Sequence, residues 1–224
     1  MVEEDVLLSL LPDRLDLPRG RSALSKSAVE ASRRGRIMQA TLDEVAESGY
    51  HATTVAAITK RARVSRTSFY DAFADKEDAF AAAHWDASDL AVTRVWEPAL
   101  TRPDLGFDDR IAAVLSAYID VLEAARSFTI CFFVEILAGG ERLALQREEM
   151  LDRHVKILHE LARVSSASDS TIALPDHDVL RGLIGAFDEL VARRVRSRRH
   201  DESLDLGLVV APVTHIVMAV MHDT

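Results

Sequence analysis

The chain has 224 residues, 48% of them hydrophobic and 28% charged, the composition of an ordinary globular protein with enough material for one domain or two small ones. A single cysteine, Cys131, excludes an internal disulfide and suits a reducing cytoplasm. No apolar run reaches membrane-spanning length, and the opening segment carries Glu3, Glu4 and Asp5, the wrong sign for an export leader. The net charge of −9 is unevenly spread: −4 over residues 1–18, +3 over 19–80 and −8 over 81–224. A basic module on an acidic body would orient one face toward a polyanion.

Residues 1–27 read as a flexible arm, because Pro12, Pro18 and Gly20 interrupt any helix. Arg19, Arg21 and Lys26, then Arg33, Arg34 and Arg36, make a basic lead-in that either reaches a minor groove or has no role. A first helix is expected over about Ala28–Ser48, with Ile37, Ala40, Thr41 and Val45 on its buried face and Gly49 as its left-handed stop.

Residues 53–76 read as two short helices around a tight turn. Thr53 and Thr54 can cap the first, in which Val55, Ile58 and Ala62 fall on one face. Arg63 and Val64 make the turn. Ser65 can cap the second helix, which opens with Arg66, Thr67 and Ser68 and is held down by Phe69 and Phe73. That order of caps, turn and buried rings is a helix-turn-helix. From Ser48 to Tyr70 there are basic residues at Lys60, Arg61, Arg63 and Arg66 and no acidic one, which suits phosphate neutralisation but also suits a plain solvated face.

Beyond this pair the pattern stays helical and no strand is expected, so the fold class is all-α. Asp75 is an expected N-cap for a helix from Lys76 to about Trp96, ended by Glu97-Pro98. A loop over Thr101–Gly106, a helix over Phe107–Ala125 and an apolar core helix over Ser127–Leu137 follow. Ala138-Gly139-Gly140 breaks the chain before a long amphipathic helix over Glu141–Val164 and a flexible link over Ser165–Thr171. Two last helices carry apolar stripes: Leu180, Leu183, Ile184, Phe187, Leu190, Val191 and Val195, then Val209, Val213, Ile216, Val217 and Val220, with Pro212 expected to kink or shorten the second. Such a pair buries its faces either in the protomer core or in a four-helix bundle with a second copy.

The chemistry of enzymes is not apparent. There is no GxGxxG, Walker loop, GxSxG or CxxC, so no catalytic residue and no cofactor are assigned. His154 and His159 are wrongly spaced for a shared metal, and Asp176-His177-Asp178 reads as the acidic start of a helix, so no metal site is assigned either. The middle helices carry many large rings. Trp96, Tyr118, Phe128 and Phe132, with Glu135, His154 or Asp89 as polar partners, are the expected lining of a small-molecule pocket. Cys131 is expected to be a buried core thiol.

The stretch from Arg36 to Phe80 resembles the DNA-binding domain of the TetR family of bacterial transcriptional regulators. The resemblance rests on IMQATLDEVAESGYHATTV, then Ile58, Ala62, Val64-Ser65, Phe69-Tyr70, Phe73 and Lys76-Glu77. It implies a helix-turn-helix domain over 28–75 and a ligand-binding and dimerisation domain over 76–224. It also implies a homodimer on a near-palindromic double-stranded DNA operator, released when a small-molecule effector binds. In that arrangement Arg66, Thr67 and Ser68 lie nearest the base edges, while Thr53, Thr54, Tyr70 and Lys76 meet phosphates. Leu183, Phe187, Leu190, Val191, Val213, Val217 and Val220 would form the dimer contact. The sequence departs from the family pattern at Arg63, where Gly is common, at Thr59, at Ala72 and at Val45. The rival readings are a helical interaction or adaptor module and a cofactor-independent enzyme on a helical scaffold.

Overall fold

Nine α-helices make up most of residues 26–96, 105–198 and 203–222, the parts of the chain described by the computed structural model. The proposed arm over residues 1–27 lies outside them except for Lys26 and Ser27, which open the first helix, and most of the Thr101–Gly106 loop lies outside them too. Helix α1 (Lys26–Ser48) is followed by the short pair α2 (Val55–Ala62) and α3 (Arg66–Tyr70). Helix α4 (Lys76–Ala91) runs on into a π turn at Val92–Trp96. The body continues with α5 (Phe107–Ala124), α6 (Arg126–Phe133), α7 (Glu141–Ser166), α8 (His177–Arg198) and α9 (Gly207–Met221). No helix among the described residues is long and apolar enough to cross a membrane.

The boundaries follow local chemistry. Gly49 ends the segment after α1 at φ 85°, a backbone region that glycine enters without a Cβ penalty. Asp75 caps α4 by accepting from the Asp78 N–H at 2.8 Å, and Asp176 does the same for the start of α8 by accepting from Val179 at 2.9 Å. The second helix of the helix-turn-helix is shorter than its pattern suggested: it ends at Tyr70, and Phe73 is buried from the turn beyond it.

Helix α6 is the hub. Its residues Phe128 to Phe133 are consecutively buried, and it packs against α1, α4, α5 and α8. Cys131 is fully buried there, facing the Leu42 carbonyl at 3.4 Å. The expected helix over Ser127–Leu137 is broken after Phe133, however. A 3-10 turn takes Glu135–Ala138, and Leu137 is 60% exposed rather than in the core. The expected link over Ser165–Thr171 is only partly a link, since Ser165 and Ser166 finish α7 and a bridge pairs Ile172 with His222. Pro212 sits inside α9, which nonetheless runs from Gly207 to Met221.

Candidate nucleic-acid interface and ligand cavity

The helix-turn-helix is built as the caps and rings dictate. Thr54 accepts from the Ala57 N–H at 3.2 Å, and Ser65 accepts from the Ser68 N–H at 3.0 Å. Phe69 is fully buried, with Phe73 and Tyr70 rings packed on it at 5.9 and 5.4 Å. Between the helices Arg63 takes the left-handed conformation, φ 55° and ψ 47°. The Val64 N–H then bonds the Thr59 carbonyl at 3.1 Å, which closes a Schellman turn. A side chain other than glycine pays about 1 kcal/mol for that backbone.

On the outer face, Thr54, Arg63, Ser65, Arg66, Thr67 and Tyr70 are exposed, and Ser68 is half-buried with its hydroxyl on that of Ser65 at 3.0 Å. Arg63 and Arg66 make no ion pair among the described residues, so their charges are available to an anion. We expect Arg63→Gly to raise stability by up to about 1 kcal/mol and to lower the slope of log affinity against log salt by about one per protomer. Urea unfolding and a salt titration of DNA binding measure the two effects separately.

Three basic or polar residues expected on this face are engaged elsewhere. Lys76 sends its ammonium inward, donating to the carbonyls of Tyr50 (2.8 Å), Thr53 (2.9 Å) and His51 (3.4 Å), and lies 4.6 Å from the Tyr50 ring centre. With three N–H donors on three carbonyls, it clamps the segment before α2 to the start of α4 and has no donor left for a phosphate. Thr53 is only 2% exposed, and its hydroxyl donates to the Gly49 carbonyl at 2.9 Å. Arg61, counted in the basic stretch, is paired with Glu44 at 2.7 Å and with Glu47, which holds its guanidinium even more firmly charged. In the lead-in, Arg34 donates to the Ala72 carbonyl at 2.9 Å and lies over the Phe73 ring at 4.1 Å, so it braces α1 on the helix-turn-helix.

The second site is a narrow cavity of about 30 Å³ among α5, α6, α7, α8 and α9. Of the seven residues expected to line it, Trp96, Tyr118, Phe132 and His154 do, together with apolar side chains such as Ile111, Leu115, Leu158 and Ile184. Phe128 is in the core beside the cavity and does not reach it. Glu135 is elsewhere: its carboxylate accepts from the Tyr50 N–H at 2.8 Å, tying the 3-10 turn after α6 to the loop before α2. Asp89 is paired with Arg153 on the surface.

The apolar stripe of the last two helices is divided. Leu183, Phe187, Val213 and Val217 line the cavity, and Val191 is fully buried, so these five expected dimer contacts face their own protomer. Leu190 and Val220 remain partly exposed on the outer side with Leu208 (63% exposed) and Pro212. Periodicity locates a stripe but does not say which partner covers it, and here the protomer's own core takes most of it.

Asp188 was not anticipated. It is 5% exposed in the cavity wall, with Arg147 donating to it at 2.6 Å. Burial pushes its carboxyl up to about 6, outweighing the Arg147 and Arg181 charges that pull it down. Its position in the apolar stretch LIGAFDELV, at helical spacing from Ile184, was the one signal available.

His154 is neutral, because burial pushes its pKa down to about 4. His84 is pushed down to about 3 by the same cause and stacks on Phe132, ring centres 5.0 Å apart. Phe132 thus touches the cavity on one side and α4 on the other.

The family model described as bacterial regulatory proteins, tetR family, matches residues 37–83. Across most of the chain there is similarity to the fatty acid metabolism regulator protein of Bacillus subtilis (strain 168), 23% identical over 189 residues, covering 84% of this chain and 95% of that one. The crystal structure of the transcriptional regulator FadR from Bacillus subtilis in complex with stearoyl-CoA superposes with a TM-score of 0.70 at 20% identity, over 84% of this chain and 99% of the other. The fatty acid degradation regulator FadR of Bacillus halodurans gives a TM-score of 0.74 at 20% identity, over 90% and 100%.

Proposed function

We propose that this chain, a member of the TetR family of bacterial regulatory proteins through residues 37–83, is a DNA-binding transcriptional repressor released by an effector with a long apolar chain. The observation that carries this reading is the pairing of two sites in one molecule. One is an exposed helix-turn-helix face on which the Arg63, Arg66 and Thr67 side chains have no partner among the described residues; the other is an apolar cavity in the helical body. The division of labour follows: residues 28–75 read DNA, and residues 76–224 hold the effector and the partner protomer. Helix α3 enters the major groove, Arg66 and Thr67 reach base edges, and Thr54, Arg63 and Tyr70 meet phosphates.

The effector class is supported by the cavity's apolar wall and by the likeness to a regulator seen with stearoyl-CoA. A cavity of about 30 Å³ holds no more than a water or two, so an acyl chain enters only if the surrounding helices part. That requirement makes the two states differ in ligand affinity, which is what coupling needs. The movement has a short route to the DNA-reading face. Phe132 lines the cavity, Cys131 beside it contacts α1 at Leu42, and Glu135 holds the Tyr50 N–H, next to the carbonyl that Lys76 clamps. Two protomers would pair through the outer faces of α8 and α9, around Leu190, Leu208, Pro212 and Val220, setting the reading heads on two half-sites.

The test is binding of the full chain to the DNA upstream of its own gene. We expect salt-sensitive binding of two protomers per site. Salt-independent binding, no binding, or a single protomer on the site with a stable monomer in sedimentation would overturn the reading.

A further inference from the structure

The cavity is apolar except for a few groups, and two of these lack partners. The Trp96 indole Nε1 and the His154 Nε2 are buried and have no hydrogen-bond partner among the described residues. Both residues are at least nine-tenths buried, at 5% and 4% exposed, and both line the cavity. Their rings meet edge to face with centres 5.8 Å apart.

The two atoms have opposite needs. An indole nitrogen can only donate. The His154 Nδ1 lies 2.8 Å from the Met150 carbonyl, which can only accept, so Nδ1 carries the proton. In the neutral ring Nε2 is then an acceptor. Each buried group without a partner carries a desolvation penalty that a ligand can remove.

A methyl-ended chain would relieve neither atom. A carbonyl would relieve only Trp96. A carboxylate would set a negative charge against the lone pair of His154, in a wall that already holds Asp188. A hydroxyl accepts from Trp96 and donates to His154. Resting on the acyl-effector reading above, we infer that the cavity selects an apolar chain bearing a hydroxyl group, seated between Trp96 Nε1 and His154 Nε2. The Phe187, Leu183 and Val217 side chains, which line the same cavity, would take the hydrocarbon.

The experiment measures the affinity of the full chain for dodecanoyl-CoA and for a series of its monohydroxylated isomers, by isothermal titration. The expected result is that one isomer, or two adjacent ones, binds about tenfold tighter than the plain chain. In both His154→Leu and Trp96→Phe the ratio between that isomer and the plain chain should fall to about one. Equal affinities for all isomers, or a preference that survives in both variants, overturns the hydroxyl site while leaving the acyl-effector reading intact. If neither the plain chain nor any isomer binds, the acyl-effector reading fails and the hydroxyl site fails with it. Circular dichroism of each variant identifies any that does not fold, and the other variant then carries the comparison.

Discussion

Replacing Lys76 by methionine is expected to destabilise the protein by about 2–4 kcal/mol while leaving the salt dependence of DNA binding unchanged. The ammonium makes two short bonds, to the Tyr50 and Thr53 carbonyls at 2.8 and 2.9 Å, a longer one to His51, and a contact with the Tyr50 ring. Charge-assisted hydrogen bonds of this kind are each worth about 1.5–3 kcal/mol, and the cation–π contact adds about 0.5–1. Partial exposure keeps the total near the lower end. Methionine keeps the stem's packing but donates nothing, so three carbonyls around the start of α2 lose their partner. Urea unfolding gives the first quantity. A salt titration at temperatures where the variant is folded gives the second. A phosphate contact would show the reverse pattern, with stability kept and the slope reduced by about one per protomer.

Arg66→Ala is expected to lower affinity for the preferred operator by about tenfold to a hundredfold per half-site, the range of one bidentate Arg–guanine contact. The melting temperature should barely move, because the Arg66 side chain is exposed and makes no ion pair among the described residues. It is the first residue of α3, directly after the Ser65 cap, and stands exposed there. The discriminating measurement is affinity across operators changed one base pair at a time. Loss of preference at one position in each half-site supports base reading. Uniform weakening at every position would make Arg66 a phosphate contact instead.

Much of this architecture was legible in the residues. The Thr54 and Ser65 caps, the Phe69–Phe73 pair, the Asp75 cap and the Gly49 stop are local signals, and each acts in the structure as its chemistry requires. A residue other than glycine at Arg63 leaves the turn's backbone open in the sequence, and the turn is left-handed. The backbone accepts it because the Val64–Thr59 bond and the buried rings on either side hold the turn in place.

What was not legible depends on contacts distant in sequence. Lys76 and Arg61 look like neighbours of a DNA-reading helix, and only the fold brings the Tyr50 and Thr53 carbonyls to one and Glu44 and Glu47 to the other. Glu135 lies in an apolar run, so a buried role was apparent, but its partner is 85 positions away at Tyr50. The stripe on α8 and α9 gave the correct faces without giving their owner. Leu183, Phe187, Val213 and Val217 serve the protomer's cavity, while the residues offset by a turn fraction, Leu190, Leu208 and Val220, stay toward the outside. A polar atom's lack of a partner, as at Trp96 and His154, has no sequence signature at all.

The central claim is that opening the cavity releases DNA. Its most direct measurement is a titration of a long-chain acyl-CoA into the complex of the full chain with its labelled upstream DNA, followed by fluorescence anisotropy. The account predicts that anisotropy falls to the value of free DNA, with the effector weakening DNA affinity by about 5–150-fold, the usual span of coupling between two sites. Anisotropy that stays at the value of the complex, under conditions where calorimetry shows the acyl-CoA bound, would contradict it.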